Sequence, residues 1–312
     1  MLGIELSNRF YQIYGKSSLQ KEFSDIFSRL AIGIAGEGSD CFGFDDELST
    51  DHDFEPGFCI WITKEDYEKF GFSLERWYSK LPKEFEGYSR QNSSFVNTNR
   101  RGIFMIDDFF CRFLGSPSVP KTLEQWLYIP HESLACACNG KIFYDGLGEF
   151  SKIRNTLNNG YPYDVKLKKL AAHCAMISQS GLYNYSRCIK RNETGAAQLA
   201  VFEFVINTIS VIYLLNNTYE PFYKWSYRGL RSLNHLTTLE SSLISLTELA
   251  NSPDEVKAKQ ETIENISCLL VEEIKRQGFI NEATNSIESC AFMLQNKIQN
   301  PTLRNMHIMD GI

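Results

Sequence analysis

Residues 36–39 of this chain read Gly-Glu-Gly-Ser, and residues 51–53 read Asp-His-Asp. Apolar runs lie on both sides of this segment, at residues 31–35 and 58–62. The pattern predicts a strand, a glycine-rich turn, a loop that carries two carboxylates, and a second strand. The glycines allow the backbone to bend and to expose N–H groups, and this suits an anion such as a triphosphate.

The two carboxylates, Asp51 and Asp53, lead into the second apolar run. In an extended chain, side chains two residues apart lie on the same face, so these acids converge. They repel each other unless a cation neutralises them, and Mg²⁺ (or Mn²⁺) carried by a nucleoside triphosphate is a common occupant of such a pair. We therefore predict that Asp51 and Asp53 bind the metal, and that Gly38 and Ser39 bind the phosphates. The simpler alternatives are a turn serine and solvated loop acids.

The order of these residues resembles the signature of the nucleotidyltransferase superfamily, which includes kanamycin nucleotidyltransferase and the polymerase-β-like enzymes. Most of the chain is also similar to a bacterial group with a Gly-Glu-Gly-Ser turn, a Phe-Asp-Asp sequence (here residues 44–46), an Asp-His-Asp sequence and a C-terminal helical domain. The resemblance implies an α+β fold, with a nucleotidyltransferase-type mixed sheet and flanking helices followed by an all-α helical bundle. It also implies Mg-dependent transfer of a nucleoside monophosphate from a nucleoside triphosphate to an acceptor hydroxyl of a small molecule, a protein or an RNA end, with release of pyrophosphate.

A third acid is part of the family mechanism, and its place in this chain is open. Family enzymes carry it within a later strand, but the apolar run at residues 103–106 contains no acid. Asp107 follows this run directly, so the resemblance implies Asp107 as the general base. The alternatives are that Asp107 caps a helix, and that Asp108, water or a substrate carboxylate takes the proton. Without a base, the chain would be a non-catalytic nucleotide-binding sensor or an antitoxin-like partner of another protein.

A run of acids separates the turn from the Asp-His-Asp sequence. Such a run is typically a solvated loop. The alternative is that Asp45 or Asp46 shapes the metal site or the site of an acceptor amine. The acids of the run are Asp40, Asp45, Asp46 and Glu47.

Residues 158–162 (Asn-Asn-Gly-Tyr-Pro) give the clearest domain boundary. We predict a nucleotidyltransferase-like catalytic domain at residues 1–160 and a helical-bundle domain at residues 161–312. Residues 221–228 alternate aromatic and cationic side chains and resemble a segment of aminoglycoside-type nucleotidyltransferases, in which a lysine meets the nucleotide phosphates. The resemblance implies Lys224 as that ligand, and the alternative is a solvated basic face over packed aromatics. The cations expected behind it are Arg187, Lys190 and Arg228.

The amino-acid composition indicates which binding partners and which cellular compartment to expect. The net charge of −6 and the pI near 5.5 argue against tight nucleic-acid binding, although a local basic cleft would still allow an RNA end. The nine cysteines include no Cys-x-x-Cys pair, as expected for reduced thiols in a cytoplasm. The N-terminus lacks a signal-peptide pattern, and the apolar stretch at residues 201–215 is too short to span a bilayer. We therefore predict a cytoplasmic protein with no membrane partner, and the sequence leaves its oligomeric state open.

Overall fold

The computed structural model describes residues 2–51, 55–90 and 100–312, and of residues 50 and 51 the backbone alone. Contacts within the chain divide it into two compact units. The first unit consists of Met1–Pro120 and Ile129–Asn159, and the second consists of Lys121–Tyr128 and Gly160–Ile312. The second unit therefore includes a short segment that precedes residue 160 in the sequence.

The strands of the described residues all belong to the first unit. They are β1 (Ala31–Ile34), β2 (Cys59–Ile62), β3 (Glu84–Phe85), β4 (Tyr88–Ser89), β5 (Gly102–Met105) and β6 (Lys141–Asp145). Four of them form a mixed sheet in the order β5-β2-β1-β6, and β3 pairs with β4. In the sheet, β1 is antiparallel to both of its neighbours, and β2 is parallel to β5.

Helices make up most of the remaining structure. They are α1 (Gly3–Phe10), α2 (Lys16–Glu22), α3 (Ser24–Phe27), α4 (Ser39–Phe42), α5 (Lys64–Ser79), α6 (Ile106–Leu114), α7 (Leu123–Tyr128), α8 (His131–Cys138), α9 (Glu149–Leu157), α10 (Tyr163–Ile177), α11 (Tyr185–Lys190), α12 (Thr194–Leu215), α13 (Tyr223–Leu230), α14 (Glu240–Glu248), α15 (Pro253–Arg276), α16 (Ile287–Lys297) and α17 (Pro301–Asn305). Short 3₁₀-helices cover Glu47–Asp51 and Thr237–Leu239, and π-helical turns cover Tyr11–Gly15 and Ser178–Asn184. A mixed sheet with flanking helices, followed by helices alone, confirms the predicted α+β class.

Helix α5 shows how local sequence sets an element boundary. Thr63 precedes the helix, and its hydroxyl accepts a hydrogen bond from the N–H of Asp66 at 3.2 Å. Glu65 and Asp66 lie in the first turn, where negative charge complements the helix dipole. This capping arrangement begins the helix directly after β2.

Both faces of the sheet are covered, since every residue of β1 and β2 is buried. On one face, Ile32, Ile60 and Ile62 join a core cluster that includes aromatic residues from the N-terminal helices. On the other face, Trp61 stacks on Phe150 of α9 with ring centroids 4.2 Å apart. Because alternate residues of a strand point to opposite faces, both sets must be apolar, and the strands read as continuous apolar runs.

The register brings several segments to one end of the sheet. Gly33 of β1 pairs with Cys59 of β2, and Cys59 pairs with Gly102 of β5. Ile34 of β1 pairs with Lys141 of β6. Therefore β1 ends where β2, β5 and β6 begin. We call this the signature end of the sheet, because the Gly-Glu-Gly-Ser turn leaves β1 there and the chain enters β2 there after the Asp-His-Asp sequence.

Helix α12 is central in the second unit and packs against α10, α11, α14 and α15. Among the described residues it is the one helix that is long and apolar enough to cross a membrane by length and composition. The sequence-based expectation that this stretch is too short to span a bilayer considered only residues 201–215, whereas the helix has 22 residues. However, 72% of its apolar window is buried inside the structure, so this helix is packed as a core element of the second unit.

Candidate functional site

The turn at residues 36–39 has backbone conformations that favour glycine. Gly36 has a φ of +111° and Gly38 has a φ of +118°. Residues with a Cβ rarely adopt such values. Ser39 then begins the four-residue helix α4, and residues 37–39 are partly exposed. The structure therefore places a glycine turn where the sequence predicts one.

This turn presents three consecutive N–H groups. In the part of the chain that the structure describes, the N–H groups of Glu37, Gly38 and Ser39 donate to no acceptor, and the Ser39 hydroxyl makes no hydrogen bond. By contrast, the carbonyl oxygens of Gly36, Glu37 and Gly38 all accept hydrogen bonds. Consecutive N–H groups in a partly exposed glycine turn are typical of an anion-binding site.

Asn139 holds the first residue of the turn. The N–H of Gly36 donates to Asn139 Oδ1 at 2.8 Å, and Asn139 Nδ2 donates to the carbonyl of Gly36 at 2.6 Å. Beyond the end of β1, the side-chain amide of Asn139 thus makes the two backbone hydrogen bonds that a neighbouring strand would otherwise make. Gly140 follows with a φ of +73°, and a Cβ there would overlap the carbonyl of Ile34. Glycine at position 140 therefore permits this close approach.

Arg100 holds the middle of the turn. Its Nε and Nη2 atoms donate to the carbonyl of Glu37 at 3.1 and 2.6 Å, and Nη2 also donates to Asp40 Oδ1 at 2.7 Å. A Cβ at Gly38 would overlap Nη2 of Arg100. Glycine is therefore required at position 38 both by its φ and by the arginine that packs against it.

Arg101 and Asp40 form a buried ion pair, with side chains only 2% and 4% exposed. Arg101 Nη1 also donates to the carbonyl of Arg100 at 3.1 Å. Burial raises the pKa of the Cys41 thiol to about 12, and burial also raises the pKa of the Cys59 thiol. Both neighbouring thiols are therefore neutral at pH 7, and the charged partner of the Arg101 guanidinium is Asp40.

The prediction that the acidic run is solvated is wrong for two of its four acids. Asp40 and Asp45 are buried, and Asp45 Oδ2 accepts a hydrogen bond from the N–H of Gly3 at 2.7 Å. Asp46 is exposed, and its Oδ1 accepts from the N–H groups of Leu48 and Ser49, which lie in the 3₁₀-helix. The partners of the buried acids lie far away along the chain, so the charge run itself does not reveal them.

The predicted metal ligands lie at the limit of the described residues. Asp51 ends the 3₁₀-helix, but its side chain and the whole of Asp53 lie outside the described residues. Among the described side chains, no group of three or more His, Cys, Asp or Glu could hold a metal ion. Asp40 and Asp45 are engaged by guanidinium and backbone N–H groups. The role of Asp51 and Asp53 as metal ligands stays a prediction.

Asp107 lies away from the turn. It occupies the exposed first turn of α6, which begins directly after β5, and the residue in the N-cap position is Met105. Met105 pairs with Ile62 at the end of the sheet opposite the signature end. Gly102 and Met105, the two ends of β5, are roughly 10 Å apart at about 3.3 Å per residue, and Asp107 follows Met105 in the next helix. The structure therefore does not bring Asp107, or its neighbour Asp108, to the glycine turn through the sheet.

Because of this placement, Asp107→Asn is expected to leave the affinity for Mg·ATP unchanged. The free energy of unfolding should change by no more than about 0.5 kcal/mol, since the side chain is exposed. Calorimetric titration and a thermal melt measure the two quantities. A loss of nucleotide transfer of about 100-fold or more in this variant would restore Asp107 as a general base.

Two of the predicted phosphate ligands, Arg187 and Lys190, lie on α11 near the start of α12. Tyr185 of α11 donates to Asn251 Oδ1 at 3.1 Å. Asn251 Nδ2 donates in turn to the carbonyl of Thr194, the first residue of α12, at 3.3 Å. Both cations are exposed.

The other two, Lys224 and Arg228, lie on α13 near the end of α12. There the hydroxyl of Tyr213 donates to the carbonyl of Ser226 at 2.7 Å. Thr194 and Tyr213 are about 28 Å apart along α12, at about 1.5 Å per residue. A triphosphate is much shorter than this distance, so the four predicted ligands do not form one set.

Each pair also fits the alternative of an exposed basic face over aromatic rings. The guanidinium of Arg187 lies 4.7 Å from the ring centroid of Tyr183, and Lys224 Nζ lies 5.6 Å from that of Trp225. Such contacts give each cation a structural role that needs no nucleotide. A role of either pair in phosphate binding stays a prediction.

Sequence analysis missed the residues that hold the turn. Arg100 and Asn139 contact it from positions far along the chain, and Arg101 contacts the carbonyl of Arg100. The charge run predicts a solvated Asp40, whereas Asp40 is buried. The available signal was weak: two adjacent arginines before an apolar run, and an Asn-Gly pair before another. Neither pattern indicates which distant residues these side chains contact.

Comparisons with known proteins find a matching family model and a similar solved structure. A family model described as "Domain of unknown function (DUF4037)" matches residues 126–226, which is less than half of the chain. Comparison with curated proteins gives no match. A solved structure of a nucleotidyltransferase-like protein from Exiguobacterium sibiricum 255-15 is similar over 91% of this chain and 81% of that chain, with 8% identity and a TM-score of 0.38. At these values the likeness carries no argument about function.

Proposed function

We propose that the chain binds a nucleoside triphosphate at the residue 36–39 turn and transfers its nucleoside monophosphate to an acceptor hydroxyl, releasing pyrophosphate. The observation that carries this proposal is the row of N–H groups at Glu37, Gly38 and Ser39, which donate to no acceptor among the described residues. The turn lies at the signature end, where the chain enters β2 after Asp51 and Asp53. A glycine-serine turn that is followed in the sequence by two hard carboxylates suits a metal-bound triphosphate.

In this proposal each group at the turn has a separate task. The three N–H groups and the Ser39 hydroxyl bind phosphate oxygens. Asn139 keeps the start of the turn fixed, so that little reorganisation accompanies binding. Asp51 and Asp53 would hold Mg²⁺, which when bound supplies positive charge to the phosphate oxygens. The acceptor oxygen forms a bond to the α-phosphorus while the bond to the pyrophosphate oxygen breaks, and the hydroxyl proton passes to water or to a group of the substrate.

A second candidate function is a nucleotide-binding sensor or antitoxin-like partner that performs no transfer. The observation that favours it is the start of β5. This strand runs parallel to β2 and in register with it, so its first residues lie at the signature end. Arg100 and Arg101, not acids, occupy the positions just before the strand, where a third acid would lie at the signature end.

The remaining assignments are part of the same proposal. Residues 1–160 would form the catalytic domain and residues 161–312 the helical domain of a cytoplasmic protein. One cation pair, either Lys224 with Arg228 or Arg187 with Lys190, would contact the phosphates. The acceptor would be a small molecule, a protein or an RNA end.

The test combines binding with label transfer. The protein is titrated calorimetrically with ATP, GTP, CTP and UTP in the presence of Mg²⁺, and it is then incubated with the tightest binder labelled at the α- or γ-phosphate. We expect saturable binding, and α-label but no γ-label on an acceptor from a total extract of small molecules, protein and RNA. Binding without release of pyrophosphate supports the second candidate, whereas no binding of any nucleotide contradicts both.

A further inference from the structure

Arg100 contacts the candidate site in a way that the signature does not explain. Two of its nitrogen atoms donate to one carbonyl oxygen, that of Glu37, and one of them also donates to Asp40. The side chain is only 12% exposed. Its Nη2 atom fills the space that a Cβ of residue 38 would need.

We infer that Arg100 is a positioning residue for phosphate binding, which holds the carbonyl side of the turn so that the N–H groups of residues 37–39 remain available to an anion. The inference rests on the proposed function, since it concerns the same turn. Arg100 acts through the backbone of Glu37 and Gly38, and no direct contact with substrate is required.

The direction of the Glu37 peptide group explains why a carbonyl contact has this effect. A peptide group is planar, with its N–H and C=O on opposite sides. The carbonyl of Glu37 belongs to the same peptide group as the N–H of Gly38. By binding this carbonyl, Arg100 fixes the direction of that N–H group, and a glycine at position 38 leaves the peptide otherwise free to rotate.

Asp40 and Arg101 hold the guanidinium of Arg100 in a fixed orientation. Asp40 accepts from Arg100 through Oδ1 and from Arg101 through Oδ2. Arg101 is buried and donates to the carbonyl of Arg100. A guanidinium held by its neighbours in this way offers a planar set of donors that a lysine ammonium cannot reproduce.

The experiment measures the affinity of the full chain for Mg·ATP and for Mg·tripolyphosphate in two variants, Arg100→Gln and Arg100→Lys. We expect both variants to lose about tenfold or more in affinity for each ligand, since a charge-assisted contact is lost and the lysine keeps only the charge. Full affinity in Arg100→Lys would show that charge alone suffices, and would overturn the positioning role. Full affinity in Arg100→Gln would overturn it as well.

Arg112→Gln is the matched control. Arg112 also contacts Glu37, but through the side-chain carboxylate at 2.6 Å, and both side chains are largely exposed. This variant is expected to keep the wild-type affinity, because it does not touch the turn backbone. An equal loss in Arg112→Gln and Arg100→Gln would attribute the effect to the charge around Glu37, and would contradict the inference.

Gly38→Ala provides a second route in case the arginine variants unfold, because it keeps Arg100 in the chain. Its Cβ would displace the Arg100 guanidinium, so this single variant should also lose about tenfold or more in affinity for each ligand, and full affinity would contradict the inference. Where Arg100→Gln folds, the two losses should be less than additive in the double variant, and fully additive losses would contradict a shared contact. If the wild-type chain binds neither ligand, the proposed function fails and the inference fails with it. If the wild type binds and the variants bind equally well, only the inference fails.

Discussion

Replacing either Asp51 or Asp53 with Asn is expected to lower the affinity for Mg·ATP by about 2–3 kcal/mol, roughly 30- to 150-fold. Each change removes one negatively charged oxygen ligand while keeping the size of the side chain, so the loss reports the charge-assisted contact. Isothermal titration at constant ionic strength measures it. In EDTA the same variants should bind ATP as well as the wild type or better, because the carboxylates then only repel the phosphates.

Asp46→Asn is the control for this pair. Asp46 lies in the same acidic segment, is exposed, and accepts hydrogen bonds from the N–H groups of Leu48 and Ser49. Asn accepts such bonds as well, so the 3₁₀-helix should persist and the affinity should stay at the wild-type value. Unchanged Mg·ATP affinity in both Asp51→Asn and Asp53→Asn would exclude these acids as metal ligands. A loss of the same size in EDTA would point to a structural effect instead.

Local sequence was sufficient to predict the framework of the first unit. The runs at residues 31–35 and 58–62 contain β1 and β2, and both are apolar throughout because the sheet is buried on both faces. The glycine pattern predicted the turn, since Gly36 and Gly38 adopt φ values that other residues avoid. The Thr63 cap of α5 is also a local feature, because capping joins residues only three positions apart.

Contacts between distant segments were not predictable from the same patterns. Asp40 appears in the sequence as one acid in a run, yet it is buried because Arg100 and Arg101 lie beside it in the fold. No local pattern joins residues 60 positions apart. Burial of an acid therefore depends on the sheet register, which places the start of β5 beside the start of β2.

The expectation for Asp107 shows a different difficulty. The sequence predicts a strand at residues 103–106 that Asp107 directly follows. In the structure, α6 begins at Ile106, so Asp107 lies within its first turn. Strand direction was also unknown from the sequence. Because β5 is parallel to β2, the end of β5 lies opposite the signature end, and an acid near the turn would have to precede the strand.

The second large effect is expected for Asp40→Ala, which should reduce the stability of the first unit by about 3–5 kcal/mol. The change leaves the buried guanidinium of Arg101 without its carboxylate, and the neighbouring Cys41 and Cys59 thiols are neutral at pH 7 and cannot replace it. Hydrogen exchange of peptides from β1 and β2, compared with peptides from α12, measures the opening free energy of each unit separately.

The double variant Asp40→Ala/Arg101→Met tests whether the loss of stability in Asp40→Ala comes from the unpaired charge of Arg101 or from a packing defect. Removing both charged partners from a buried pair costs much less than removing one, so the double variant should be more stable than Asp40→Ala alone. Lys69→Ala is the control, since it breaks the exposed pair between Lys69 and Glu65 and should not change exchange measurably. Unchanged hydrogen-exchange protection of β1 and β2 in Asp40→Ala would contradict the argument. A double variant less stable than Asp40→Ala would instead assign the stability to the contacts that the Arg101 side chain makes by itself, including its hydrogen bond to the carbonyl of Arg100.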